Sequence, residues 1–150
     1  MTTEPVIFLV EDNDDEAELT ILAFRETQLS NSVVRVRDGV EALDYLFGRG
    51  SYEGRDLNDL PTVVLLDLNL PRLGGLDVLK AIRADEHTRY LPVVVLTSSD
   101  EESDRLAAYS HFANSYVRKT VDFDQFTKAA RDLGLYWLVI NRPLPPGAHL

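Results

Sequence analysis

Short apolar runs alternate with amphipathic stretches along most of the chain, and this alternation limits the possible folds more than any other feature. The apolar runs predict five strands, at Val6–Val10, Val33–Arg37, Thr62–Leu66, Val93–Thr97 and Ser115–Val117. Strands that alternate with helices join through right-handed crossovers and form a parallel sheet that helices cover on both faces. The sequence therefore predicts a doubly wound α/β fold with five parallel strands and five helices.

The stretches between the predicted strands carry apolar side chains at helical spacing. In the fourth stretch, Leu106, Tyr109 and Phe112 recur every three residues and mark one face of a helix. Two segments break the pattern, because residues 48–60 are polar and glycine-rich and residues 143–150 are rich in proline. We expect one domain over residues 1–142 with a surface loop at 48–60 and an extended last helix, followed by an extended tail.

The composition excludes several classes of function. The formal net charge of -10 repels phosphate backbones and anionic lipids, so neither nucleic-acid nor membrane binding is expected. The absence of cysteine excludes a disulfide framework, a zinc–thiolate site and a thiol nucleophile. The first residues lack the basic start of a signal peptide, and no apolar run is long enough to span a bilayer. We expect a cytoplasmic protein.

Polar side chains follow the predicted strands at the ends where open α/β sheets form their sites. Glu11 and Asp12 come after the first strand, Asp67 follows the third, Thr97 ends the fourth, and Lys119 follows the fifth. If the first, third and fourth strands are neighbours, three carboxylates, a hydroxyl and an ammonium group meet at one edge of the sheet.

Three clustered carboxylates repel one another, and a divalent cation relieves this repulsion. Mg²⁺ takes one or two carboxylates and keeps other positions for water, carbonyl and phosphate oxygens. Asp12 and Asp67 are the expected direct ligands, with the Asn69 backbone carbonyl nearby and Glu11 acting through water. Such a site suits phosphoryl transfer, in which Asp67 attacks phosphorus, Lys119 neutralises charge and Thr97 donates a hydrogen bond.

Each of these residues also has a simpler interpretation. Asp12 is a candidate cap of the first helix, and Asp67 is a candidate acceptor in an Asx-turn. A lone Lys119 is typical of a solvated surface, and a lone Thr97 of an ordinary strand. The hypothesis of a shared site therefore depends on the joint placement of these residues at strand ends.

Four blocks of sequence resemble the receiver domain of two-component response regulators, which has the CheY-like fold. The blocks are VEDN, LLDLNLPRLGGLDVL, VVVLTSS and SYVRK, and the resemblance extends from Val6 to about Val139. It implies the strand order 2-1-3-4-5 and a Mg²⁺-dependent aspartyl phosphate on Asp67, donated by a histidine kinase. It also implies a switch in which Thr97 moves toward the phosphoryl group and Tyr116 turns inward. Such a protein catalyses only its own phosphorylation and dephosphorylation.

The glycine-rich insertion and the segment GLYWLVINRPLP further resemble the short regulators that partner phytochrome histidine kinases. Two features depart from the wider family. Thr120 follows Lys119 where the family usually has proline, so the sequence leaves open whether this peptide bond is cis or trans. Ser99 is too small to shield a phosphoryl group, so the lifetime of the phosphate stays open.

Three alternatives compete with this interpretation. A phosphatase of the haloacid-dehalogenase type needs a general acid two positions after its nucleophile, where this chain has Asn69. A nucleotide or flavin binder is disfavoured because the insertion contains no phosphate-binding glycine motif. A receiver-like adaptor that acts without phosphorylation is the main alternative, although the complete set of site residues argues against it.

The last predicted helix carries more apolar surface than one sheet face can bury. Its apolar seam comprises Phe123, Phe126, Ala130, Leu133, Trp137 and Ile140, and residues 135–140 read LYWLVI. An open patch of this kind marks a contact site. We expect a homodimer through helix 4, strand 5 and helix 5, as in the resembling family, with Tyr136, Trp137 and Ile140 at the interface. The sequence leaves open whether phosphorylation is required.

Overall fold

The fold is a five-stranded parallel sheet between two layers of helices, as the alternation predicts. The structure, a computed structural model, describes residues 5–27, 31–99, 101–119 and 122–145. Strands β1 to β5 are Val6–Val10, Ser32–Val36, Val63–Leu66, Val93–Thr97 and Ser115–Arg118. Helices α1 to α5 are Asp14–Glu26, Gly39–Phe47, Gly75–Ala84, Glu102–Ser110 and Phe123–Gly134. The strand order is β2-β1-β3-β4-β5, which confirms the predicted order, and every strand matches its prediction to within one residue at either end.

The three central strands are buried on both faces. Side chains of β1 alternate between two apolar clusters: Phe8 and Val10 belong to one, and Ile7 and Leu9 to the other. All four residues of β3 are buried. Helices α1 and α5 cover one face of the sheet, while α2, α3 and α4 cover the other. The uninterrupted apolar run before Asp67 thus follows from two-sided burial, which gives the strand no reason to alternate.

The apolar stripe on α4 points away from the core, in contrast to the usual arrangement of an amphipathic helix. Ala108 is the buried residue of this helix, whereas Leu106 and Phe112 are 72% and 73% exposed and Tyr109 is 50% exposed. Phe112 also adopts a left-handed backbone conformation with φ 63°. The spacing correctly predicts the helix, but its apolar face is an open surface, and the helix ends at Ser110, so Phe112 extends the stripe from just beyond it.

Residues 48–60 lie between α2 and β3 and contain one short 3-10 helix at Gly50–Tyr52. Arg55 fastens this loop to α2, because its Nε donates to the Tyr45 carbonyl at 2.7 Å and its guanidinium lies 4.0 Å from the centre of the Tyr45 ring. Gly48 ends α2 in the left-handed conformation, with φ 65°, which glycine adopts without strain.

The last helix is extended, since α5 continues as a π-helix over Leu135–Ile140. Trp137 and Leu138 pack against the apolar cluster beneath α1 and α5. Tyr136 and Ile140 are 47% and 56% exposed. The side chain of Phe123, the first member of the predicted seam, lies outside what the structure describes. None of the helices within the described ranges is both long and apolar enough to cross a membrane.

Candidate functional site

The carboxyl ends of the central strands bring the predicted polar residues together. The hydrogen-bond ladders continue past the strands: the Asp67 N–H donates to the Val10 carbonyl at 3.1 Å, and the Lys119 N–H donates to the Thr97 carbonyl at 2.7 Å. These bonds fix the backbones of Asp67 and Lys119 at one edge of the sheet. The side chains therefore extend from a rigid scaffold, which a reaction centre requires.

The ammonium group of Lys119 is the centre of the site. Its Nζ donates to Oε1 of Glu11, to Oε2 of Glu16 at 3.0 Å and to Oδ2 of Asp67 at 3.1 Å. A lysine ammonium has three hydrogens, so this arrangement uses all of them. Lys119 thus compensates much of the charge that Asp67 places beside the core.

The surroundings raise the pKa values of both Glu11 and Lys119. Burial raises the pKa of the Glu11 carboxyl to about 7, although the hydrogen bond and charge of Lys119 oppose the shift. For Lys119, burial alone lowers the pKa, but the hydrogen bond to Glu11 and the charges of Asp67 and Glu11 outweigh it and raise the pKa above its ordinary value. Lys119 is therefore positively charged at neutral pH.

Three carboxylates are placed to bind one cation. Glu11, Asp12 and Asp67 each offer an oxygen within 4.8 Å of the others. Glu11 and Asp67 are buried and Asp12 is exposed, so one side of the cluster stays open to water and to a phosphoryl donor. An all-oxygen set with room for water fits Mg²⁺ or Mn²⁺ rather than zinc, which favours nitrogen and sulfur ligands.

The two simpler interpretations of the aspartates have different outcomes. Asn13, not Asp12, caps α1, because its Oδ1 accepts from the Glu16 N–H at 2.9 Å. Asp67 does accept from the Asn69 N–H, at 3.2 Å, so the Asx-turn interpretation is confirmed. This turn holds one Asp67 oxygen while Lys119 holds the other, and it therefore orients the carboxylate.

Thr97 and Tyr116 both contact the turn that follows β4. Thr97 is fully buried, and its hydroxyl accepts from the Ser99 N–H at 3.4 Å. The Tyr116 hydroxyl donates to the Ser99 carbonyl at 3.1 Å. One short turn thus links the two predicted switch residues. The Lys119–Thr120 peptide bond lies outside the described residues, and Tyr136, Trp137 and Ile140 lie away from the site at the end of the last helix.

Three residues that sequence reasoning did not select also shape the site. Glu16 binds Lys119 directly. Arg35 donates from Nε and Nη2 to the Glu11 carbonyl at 2.9 and 2.8 Å, which ties β2 to the residue that follows β1. Gly75 lies so close to Asp67 that an added Cβ would be 2.3 Å from the Asp67 carbonyl oxygen. The acidic first turn of α1 was a signal for Glu16, whereas nothing local marks Arg35.

An ion pair outside the cluster fastens the loop after Asp67. Asp38 caps α2 and accepts from Nε and Nη2 of Arg72 at 3.0 and 2.9 Å. Burial alone raises the pKa of Asp38, but the hydrogen bonds from Glu41 and Arg72 outweigh it and lower the pKa below its ordinary value. Arg72 adopts a left-handed conformation, with φ 63°. The pair thus stabilises a turn that a non-glycine residue adopts only at some energetic cost.

Comparison with known proteins identifies the family. A family profile described as "Response regulator receiver domain" matches residues 7–131. The chain belongs to the response regulator receiver domain family. This receiver domain is 40% identical over 141 residues to the probable methanogenesis regulatory protein FilR2 of Methanothrix harundinacea, covering 94% of this chain and 88% of that protein.

Response regulator Rcp1 and the phytochrome response regulator RcpA are similar to this chain over most of its length. The receiver domain is 33% identical to response regulator Rcp1 of Synechocystis, over 89% of this chain and 88% of Rcp1. It superposes on the phosphorylated cyanobacterial phytochrome response regulator RcpA with a TM-score of 0.88 and 34% identity, covering 95% of this chain and all of that one (100%). A structure of Rcp1 with bound Mn²⁺ has a TM-score of 0.85 and 31% identity, covering 94% and 99% of the two chains. The acidic cluster of this receiver domain fits such a cation.

Proposed function

We propose that this receiver domain accepts a phosphoryl group on Asp67 in a Mg²⁺-dependent reaction and thereby serves as a response regulator. One observation carries the proposal. Asp67 is buried, with a side chain that is 8% exposed, and its carboxylate lies 3.1 Å from a charged lysine ammonium and shares a possible cation site with Glu11 and Asp12. Asp67 as a nucleophile thus lies between the Lys119 ammonium, which neutralises charge, and an open side that a metal ion can reach.

The chemistry is a direct displacement at phosphorus. An oxygen of Asp67 forms a bond to phosphorus while the bond from phosphorus to the donor breaks, and the donor leaves with the electron pair. The donor is a phosphohistidine of a kinase or a small acyl phosphate. A divalent cation at Asp12 and Asp67 would neutralise charge on the phosphoryl oxygens. Lys119 neutralises a further oxygen from the other side of the carboxylate.

The two switch residues, the buried Thr97 and the half-buried Tyr116, would read out this modification. Thr97 has the only polar side chain of β4, and its hydroxyl donates to a phosphoryl oxygen once that oxygen is in place. Thr97 and Tyr116 share the turn at Ser99, so a shift of Thr97 toward the phosphoryl group pulls on the hydrogen bond that holds Tyr116. The site is thereby coupled to β5, on which Tyr116 lies.

Incubation with acetyl phosphate and Mg²⁺ tests the acceptor role. Intact-mass spectrometry should show the gain of one phosphoryl group in the wild type and no gain in excess EDTA. The competing function, an adaptor that never becomes phosphorylated, predicts an unchanged mass in both samples. A full gain in EDTA would contradict the role of the metal.

We also propose a phytochrome histidine kinase as the donor. The similarity to RcpA, a cyanobacterial phytochrome response regulator, supports this choice. The test mixes the receiver domain with an autophosphorylated phytochrome kinase and follows the loss of label from the kinase. Transfer should be much faster than from a histidine kinase of another sensor class, with Asp67→Asn as the inactive control. Equal rates from both kinases would overturn the choice of donor.

We further propose a homodimer through α4, β5 and the extended α5. Two open apolar surfaces support it: the α4 stripe of Leu106, Tyr109 and Phe112, and the exposed residues Tyr136 and Ile140 of the π-helix. Together they expose more apolar area than the scattered apolar residues of an ordinary protein surface do. Trp137 contributes from beneath, because its ring lies edge-on to Tyr136 with centres 4.9 Å apart.

Sedimentation of the wild type and two variants tests the dimer. Tyr136→Glu places a charge in the proposed interface and should give a monomer at tens of micromolar protein. Leu22→Glu is the matched control, because Leu22 is 42% exposed on α1, away from the proposed interface, and it should leave the dimer intact. A wild type that stays monomeric with and without a phosphoryl mimic would refute the homodimer, and the kinase would then be the expected binding partner of these apolar surfaces.

A further inference from the structure

The Lys119 ammonium has no free hydrogen for a phosphoryl oxygen. Its three hydrogens are directed to Glu11, to Glu16 at 3.0 Å and to Asp67 at 3.1 Å. A phosphoryl group on Asp67 therefore has to replace one of these partners before Lys119 neutralises its charge. The energy of the phosphorylated state depends on how strongly the remaining partners hold the ammonium.

Glu16 differs from the other two partners in its position. The side chains of Glu11 and Asp67 are 2% and 8% exposed, whereas that of Glu16 is 45% exposed. Glu11 and Asp67 belong to the group that is placed to bind a cation, and Glu16 does not. A cation therefore neutralises the first two carboxylates but leaves the charge of Glu16 directed at Lys119.

Phosphorylation makes the charge of Glu16 unfavourable. The Asp67 carboxylate loses its own charge when it forms the acyl phosphate, and the phosphoryl group brings about two negative charges to the same place. Glu16 then repels the phosphoryl oxygens and binds the ammonium that they require. In the unphosphorylated state, the same carboxylate stabilises Lys119 in its present position.

We propose that Glu16 is a positioning residue, which holds Lys119 in the unphosphorylated state and competes with the phosphoryl group for its ammonium. This inference rests on the proposed function, because it takes Asp67 as the acceptor. Glu16 thereby shifts the equilibrium toward the unphosphorylated form and toward release of the phosphoryl group.

Binding of beryllium trifluoride to the full chain in Mg²⁺ measures this competition. The Asp67 oxygen replaces a water on beryllium, and the fluorides take the places of the phosphoryl oxygens. Glu16→Gln keeps the shape and an accepting oxygen but removes the charge. Its Kd should fall roughly two- to fivefold, the range that a partly exposed ion pair contributes. Calorimetric titration gives this constant directly.

Glu18→Gln is the matched control, because it makes the same change of net charge on an exposed position of the same helix. Its Kd for beryllium trifluoride should stay close to that of the wild type. Mg²⁺ titrated alone should bind all three proteins equally, since Glu16 lies outside the cation group. The direction of the effect is informative, because general damage to the fold weakens binding and does not tighten it.

Three results would overturn the inference. The first is a Glu16→Gln Kd equal to or weaker than that of Glu18→Gln. The second is a change in Mg²⁺ affinity that is specific to Glu16→Gln, which would make Glu16 a metal residue. In both cases wild type still binds the mimic and Asp67→Asn does not, so the proposed function stands. If wild type fails to bind the mimic at all, the proposed function and the inference both fail.

Discussion

Replacement of Gly75 by alanine tests how rigidly the scaffold holds Asp67. Gly75 begins α3, and a Cβ at this position would lie 2.3 Å from the Asp67 carbonyl oxygen and 2.7 Å from the Leu68 Cα. Both are backbone atoms at the end of β3, so no side-chain rotation relieves the clash. The variant folds only if α3 or the segment that carries Asp67 moves.

The expected effects on stability and on reaction rate follow from this geometry. Overpacking of this kind destabilises a protein by about 1–3 kcal/mol. In a chain of this size, 1 kcal/mol corresponds to about 2–4 °C in Tm, so Tm should fall by about 2–12 °C. A reacting group displaced by about 1 Å loses on the order of a hundredfold in rate. The loss of phosphorylation should therefore exceed what the fraction of unfolded protein explains.

Gly74→Ala is the control for this variant. Its Cβ would lie 4.0 Å from its nearest neighbours, Asp77 Oδ2 and the Leu68 carbonyl oxygen, which is ordinary contact. Urea unfolding gives the stabilities, and the mass gain with acetyl phosphate gives the rates under conditions where both proteins are folded. Equal stabilities and equal rates for the two variants would refute the close approach of α3 to Asp67 as the reason for a glycine at position 75.

Three further predictions concern charge and hydrogen bonding. Asp12→Asn removes one of three neighbouring negative charges, so it should raise Tm in EDTA; added Mg²⁺ should stabilise the wild type but not the variant, and calorimetry checks both. Asp38→Asn should destabilise the protein at pH 7 by about 1 kcal/mol through the loss of the charged contact to Arg72. Because the fold lowers the pKa of Asp38, this stabilisation is present above the ordinary pKa of about 4 and disappears at lower pH, so urea unfolding should show the two proteins converging in acid. Arg83→Lys should cost about 2 kcal/mol in urea unfolding, because lysine cannot reproduce the bonds of the Arg83 guanidinium to the carbonyls of Phe112, Arg89 and Leu91.

Much of the fold and of the reaction centre could be predicted from the sequence. The order of strand ends along the chain is a local property, so Glu11, Asp12 and Asp67 could be assigned to one edge once the sheet was assumed parallel. The burial of β3 was equally visible, because a strand covered on both faces leaves an uninterrupted apolar run. Both features follow from periodicity, which a single sequence contains.

Contacts that depend on side-chain reach were not predictable in this way. Glu16 meets Lys119 across 103 residues of sequence, and Arg35 reaches the Glu11 carbonyl across 24 residues. The acidic first turn of α1 is a local signal for Glu16 but does not identify Lys119 as its partner, and no local pattern marks the contact of Arg35. The α4 stripe shows a related limit: the spacing of Leu106, Tyr109 and Phe112 defines a helical face but does not state whether that face meets the sheet or the solvent.

The central claim is that Asp67 is the phosphoryl acceptor, and mapping the modified residue tests it most directly. The receiver domain is phosphorylated with acetyl phosphate in Mg²⁺ and then reduced with borohydride, which converts an aspartyl phosphate to homoserine. Tandem mass spectrometry of the digested protein should place homoserine at position 67 and nowhere else, and Asp67→Asn should yield none. Homoserine at Asp12 or at another acidic residue, or a fully phosphorylated Asp67→Asn, would contradict the account.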